Sequence, residues 1–259
     1  LGAGVLAQRR PGSLVAFWDV APAATLERVK ADARDPLRAL LPRFDIVFTH
    51  GGGPPVVRGY EALGARRCAP IYDALDPSMH HPAPPRREWA ADLALLADRS
   101  PARDRRVDEL FLRPAALLPE RAFVLGGDGW GDCALSKNVR ATGHVPTRDH
   151  NAFSCSARAV LDLAHTGWSP ARRLFEAVGA GACLITCAWE GLEHFLAPGR
   201  EVLVARDGEE VARLLSALTN ADAVAIGSAA RARVLAEHTY AHRAREVERV
   251  LEHRERGAA

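Results

Sequence analysis

Lysine is almost missing from this 259-residue chain: Lys30 and Lys137 stand alone among 34 basic side chains. The remaining basic residues are arginines, and with 32 acids against them the formal net charge is only +2. So small a charge offers no electrostatic footprint for nucleic acid or for an anionic membrane surface. Arginine in place of lysine, much alanine and a single methionine are expected of a GC-rich bacterial genome and carry no functional information. Cysteine is scarce as well. The five (Cys68, Cys133, Cys155, Cys183, Cys187) are odd in number and scattered, with no Cys-x-x-Cys. That argues against a disulfide frame or a zinc site and for free thiols in a reducing cytosol. The longest uncharged apolar run, Ala177 to Trp189, is broken by glycine and too short to span a bilayer. Leu1 to Ala7 lacks the form of a secretion signal. The expectation is a soluble, cytoplasmic protein. No Ser-His-Asp or Cys-His arrangement has a distinctive spacing, and no His/Asp/Glu cluster has metal-ligand spacing, so neither a metal nor a cofactor is expected.

What is present is ordinary globular composition, 48% hydrophobic and 25% charged, in a length that suits one large domain or two modest ones. Strands are predicted over 14–18, 46–49 and 68–72, with helices over 1–8, 23–33, 36–41 and 56–63 between and around them. Residues 73–85, DALDPSMHHPAPP, are rich in proline and turn residues and read as a linker, with His80 and His81 as linker residues. Beyond it, strands are predicted over 93–97, 123–126, 139–142, 159–163, 182–186 and 202–205. Helices are predicted over 104–117, 170–178, 190–195, 209–218, 222–238 and 242–254. This β-α-β alternation signifies a doubly wound parallel sheet, an α/β fold with ligands at the carboxyl ends of its strands.

Residues 169–186, SPARRLFEAVGAGACLIT, organise the second half. Ser169-Pro170 reads as a helix start, hydroxyl cap followed by proline. Leu174, Phe175 and Val178 make one apolar face, and Gly179 and Gly181 stop the helix before a short buried strand. Glu176 sits beside that face, and a carboxylate there needs a partner. One partner is Arg172, a helical turn earlier; another is the diol of a bound ribose. Arg99, Arg103, Arg105 and Arg106 follow a strand and open a helix. They read either as a diphosphate clamp or as a solvated face pairing with Asp104, Asp108 and Glu109. The clusters Gly51-Gly52-Gly53 and Gly126-Gly127-Asp128-Gly129-Trp130-Gly131 fit neither G-x-G-x-x-G nor a Walker loop and read more simply as tight turns. A dinucleotide oxidoreductase is therefore disfavoured.

Taken together, IYDALDPSMHHP (71–82), LGGDGW (125–130), NVRATGHVPTRDHNAF (138–153) and the stretch 169–205 resemble the C-terminal half of a GT-B glycosyltransferase. The likeness is strongest to the CgeB-type (spore maturation) glycosyltransferase-like family, and it covers most of the chain from about residue 14 to 251. It implies two Rossmann-like parallel-sheet domains: a shortened acceptor-side domain over 1–75 and a nucleotide-sugar-binding domain over 76–259 that includes the final helices. It further implies metal-independent sugar transfer from a nucleotide-sugar donor to an unidentified acceptor, a glycan, protein or small molecule. By the same resemblance Glu176 matches the carboxylate that binds the nucleotide ribose, and Arg99 and Arg105 the basic pair on the donor diphosphate. Ser169, Arg172, Gly143, His144, Glu193, Gly51 and Gly52 fall among the implied substrate-binding positions. The chain departs from the pattern at Trp168, where many related retaining enzymes carry a second glutamate, and in the short loop His165-Thr166-Gly167-Trp168. Arg105 stands where lysine is usual. A non-catalytic binder of nucleotide-sugars or partner proteins, and a nucleotide-sugar epimerase, are the rival readings.

Overall fold

The computed structural model describes residues 2–163 and 168–252. It separates into two compact units, one formed by residues 1–73, 166–170 and 241–259, the other by 74–165 and 171–240.

The first unit opens with α1 (Gly2–Ala7), β1 (Ala16–Asp19), α2 (Pro22–Ala31) and α3 (Pro36–Leu40). It continues with β2 (Ile46–His50), α4 (Gly53–Ala62) and β3 (Cys68–Ile71). Prolines start α2 and α3, where a missing N–H costs nothing, and the Asp35 carboxylate caps α3 by accepting from Leu37 N at 2.8 Å. The strands pair in parallel in the order β1-β2-β3, so alternate residues of β2 face opposite sides. Val47 joins Leu26, Leu41, Val56 and Tyr60 on one side, while Ile46, Phe48 and Ile71 gather on the other.

The second unit runs through β4 (Ala91–Leu96), α5 (Pro101–Val107), α6 (Arg113–Leu117), β5 (Phe123–Gly126), β6 (Val139–Gly143) and α7 (His150–Ser156). Then come β7 (Ala157–Asp162), α8 (Arg172–Gly179), β8 (Leu184–Cys187), α9 (Leu192–Phe195) and β9 (Leu203–Ala205). It closes with α10 (Gly208–Ala217) and α11 (Asn220–Glu237), whose Thr219–Asp222 capping box satisfies the first free amides. The chain ends its described part with α12 (Tyr240–Glu252). All six strands are parallel, in the order β6-β5-β4-β7-β8-β9. Counted within the unit this is 3-2-1-4-5-6, and the order reverses between β4 and β7, where such sheets bind ligands at their carboxyl ends. Leu93, Leu95, Phe123, Leu125, Ala159, Leu161 and Ile185 fill one side of the sheet, as expected of strands covered on both faces.

Each of the nine predicted strands is found within two residues of its expected ends. Other details differ. The last helix was expected to complete the C-terminal domain, yet Val247, Val250 and Leu251 of α12 cover Ile46, Phe48 and Ile71 in the first unit. The predicted helix 104–117 begins at Pro101 and holds a π turn over Asp108–Leu112. Pro114 supplies the reason: it has no N–H for the Leu110 carbonyl and its ring presses against that oxygen, so the preceding turn widens. Helix α7 was not predicted, since Asn, Ser and Cys in HNAFSCS are poor helix formers.

Candidate functional site

Helix α8 buries Leu174, Phe175, Ala177 and Val178 and so fixes the rotation of Glu176. The expected cap at Ser169 is corrected by the structure. The helix begins at Arg172 behind an extended Ala171, with no side-chain cap, and the Ser169 hydroxyl instead accepts from Gly52 N at 3.0 Å. A residue before proline is biased towards extended backbone, which keeps Ser169 out of the helix.

Glu176 is the centre of a half-buried polar cluster, its side chain 12% exposed. Arg172 Nε reaches Oε1 at 3.1 Å, the i,i+4 pair anticipated from sequence. Two more partners come from elsewhere in the unit. His80 Nε2 lies 3.9 Å from Oε1 and His150 Nδ1 3.6 Å from Oε2. Both separations exceed a direct hydrogen bond. Burial pushes the carboxyl up, but His150, His80, Arg173 and Arg172 outweigh it, and the net shift is downward. His80 is thus no linker residue. An Asx turn around Asp76, with Ser78 N on its carboxylate at 2.9 Å and His80 N on its carbonyl at 2.9 Å, sets His80 in place. Gly179 allows that backbone to approach, since a Cβ there would stand 3.1 Å from the His80 carbonyl.

A second carboxylate closes β7 at the point where the strand order reverses. Asp162 is 7% exposed and accepts from the Thr186 hydroxyl, its register partner on β8, at 3.3 Å. Burial raises its pKa to about 6, against the pull of Thr186, Arg106 and Arg173. Arg106 turns from α5 towards the same strand ends, its Nη2 2.8 Å from Cys187 Sγ.

A family model described as glycosyl transferase-like matches residues 103–249, more than half of the chain. The chain belongs to the glycosyl transferase-like family. Solved structures agree on the fold. HepE from Anabaena, crystallised with UDP and glucose, is 14% identical, with a TM-score of 0.69 over 96% of this chain and 73% of that one. Sucrose-phosphate synthase from Thermosynechococcus elongatus is 15% identical, with a TM-score of 0.67 over 100% and 71%. A glycosyltransferase from Rickettsia africae is 11% identical, with a TM-score of 0.58 over 88% and 79%. No curated protein matches the sequence. The fold is therefore α/β and GT-B-like, built on three- and six-stranded parallel sheets.

Of the other positions expected to act in this glycosyl transferase-like chain, Gly51, Gly52 and Ser169 belong to the first unit and Arg99, Arg105, Gly143, His144 and Glu193 to the second. Arg99 is exposed, with Nε 3.2 Å from Asp104 Oδ2, and Arg105 and Glu193 are exposed too. Gly143 takes φ +68° and accepts Gly127 N at 2.8 Å; His144, 70% exposed, lies 3.7 Å from Asp128. Gly51 N and Gly52 N are already bound, to Ile71 O at 2.9 Å and to Trp168 O and Ser169 Oγ at 3.1 and 3.0 Å. The turn Gly126–Gly131 is shaped by packing: a Cβ on Gly127 would collide with the Ala97 carbonyl, which accepts Trp130 Nε1 at 2.7 Å. Trp168 has a left-handed φ of +59° and packs on Gly53, where a Cβ would strike its ring. Residues 165–167 of the short loop lie outside the described residues. Among those described, no three His, Cys, Asp or Glu converge as a metal site, and no helix is long and apolar enough to cross a membrane.

Sequence reasoning missed His80, His150 and Asp162. The only signal for the histidines was their place inside the two family-like stretches 71–82 and 138–153. For Asp162 it was an acid ending an apolar strand.

Proposed function

We propose that this protein transfers a sugar from a nucleotide-sugar to an acceptor, as a CgeB-type member of its family. The observation that carries the reading is Glu176, an ionised carboxylate held one turn into the helix that follows the switch-point strand. Its charge suits the two hydroxyls of a ribose. Arg99 and Arg105 take the diphosphate, with Arg99 exchanging Asp104 for phosphate oxygens, and the guanidinium charge stabilises the departing nucleoside diphosphate without a metal. Arg172, Gly143, His144 and Glu193 belong to the surroundings of the donor, and Ser169, Gly51 and Gly52 support the acceptor-side unit. The acceptor is a glycan, a protein or a small molecule. UDP is the first nucleotide to try, because HepE was crystallised with UDP.

Calorimetric titration of UDP, GDP and ADP tests the reading. One of them should bind, and Arg99→Ala or Glu176→Ala should each weaken it about ten- to a hundred-fold, about 1.5–3 kcal/mol per charge-assisted contact. No binding by any of the three rejects it. Trp168 supports a second reading, a binder without turnover, because an indole on Gly53 stands where the resemblance puts a second glutamate. Transfer that Glu176→Ala abolishes would exclude the binder, and donor interconversion without an acceptor would indicate an epimerase.

A further inference from the structure

Glu176 does not stand alone, and the spacing around it is specific. Its two oxygens each face an imidazole nitrogen, Oε1 to His80 Nε2 at 3.9 Å and Oε2 to His150 Nδ1 at 3.6 Å. Neither distance is a hydrogen bond, yet each lets one oxygen atom stand about 2.8 Å from both groups. The His150 ring is turned by its other nitrogen: Nε2 lies 3.1 Å from the Val145 carbonyl, which can only accept, so Nε2 carries a proton. Nδ1 is thereby aimed at the carboxylate, and it is buried with no hydrogen-bond partner. His80 is held as firmly by the turn at Asp76, and Asn151 Nδ2 ties that turn to α7 through the Met79 carbonyl at 2.8 Å. All three side chains keep an accessible edge, being 12, 13 and 14% exposed for Glu176, His150 and His80.

We propose that His80 and His150 read the two ribose hydroxyls together with Glu176, each hydroxyl bridging one carboxylate oxygen and one imidazole. The chemistry selects a vicinal diol. An anion is repelled by the carboxylate, whereas a hydroxyl gives its proton to the carboxylate and accepts one from a ring nitrogen that carries a proton; for His150, which already donates through Nε2, that is the doubly protonated imidazolium. The two bridges lie on the two oxygens of one carboxylate, a spacing that neighbouring hydroxyls share. This inference rests on the proposed nucleotide-sugar function and assigns the histidines as specificity residues of that site.

The test is a ligand-and-variant cycle on the full chain. UDP, GDP and ADP are titrated beside their 2′-deoxy and 3′-deoxy forms into the wild type, His150→Ala, His150→Gln and His80→Ala. Thermal unfolding verifies that each variant is folded. Loss of one hydroxyl should weaken binding to the wild type about tenfold, and that penalty should fall below about twofold in the variant lacking its imidazole. His150→Gln, which keeps a polar side chain, serves if His150→Ala does not fold. Binding with no preference for the hydroxyls, or with the same preference in every variant, overturns the assignment and leaves the nucleotide reading standing. No binding of any nucleotide to the wild type overturns both.

Discussion

Asp162 and Glu176 are both acids taken largely out of water in the same unit, and their pKa values move in opposite directions. Burial acts on both and favours the neutral form of each. The difference lies in the company. Asp162 has one hydroxyl at 3.3 Å, with Arg106 and Arg173 acting only through space. Glu176 has a guanidinium at 3.1 Å and two imidazoles just beyond contact. An acid at a strand end is therefore not informative by itself; the donors around it decide whether it carries charge.

The largest effect should come from Asp162→Asn, which keeps the shape and the bond to Thr186. The folded state holds the Asp162 proton more tightly than the unfolded state. Its penalty is absent below about pH 4, grows as pH rises and is complete above about pH 6. The variant should therefore be more stable than the wild type at pH 7, by on the order of 3 kcal/mol, and no different near pH 4. Urea unfolding at both pH values measures this, and equal differences at the two would break the comparison. Glu176→Gln should do the reverse. Its folded pKa is lowered, so its contribution is present above about pH 4.5 and lost as pH falls through the lowered value. The variant should lose about 1–2 kcal/mol at pH 7 and recover towards wild type in acid. The smallest effect belongs to Arg172→Ala. Its side chain is 71% exposed, so removing the i,i+4 pair should cost about 0.3–0.5 kcal/mol, less in high salt.

Much of this molecule was legible from its residues, for reasons that show why the rest was not. Strands such as Phe123–Gly126 announce themselves because burial on both faces demands an unbroken apolar run. Glu176 was visible because helical periodicity places it beside Leu174, Phe175 and Val178. Its histidines were hidden because pairing across long sequence distances leaves no local period. His80 looked like punctuation among prolines until the Asx turn at Asp76 and the space left by Gly179 brought it to α8. Ser169 misled for a related reason. A hydroxyl before proline is a good cap in isolation, but a distant amide, that of Gly52, claimed it. The same non-locality moved α12 to the first unit, where three apolar strand residues required a cover.

The place of β4 has a practical consequence for anyone dissecting this protein. It is the one strand that pairs with both β5 and β7, joining the two halves of the six-stranded sheet. Yet it ends at Leu96, before the stretch from residue 103 that carries the family likeness. A fragment trimmed to that likeness would keep two half-sheets, each with a raw inner edge, and lose the strand that makes them one folding unit. Here the part that homology marks, 103–249, and the compact unit that holds the whole sheet, 74–165 with 171–240, are different objects.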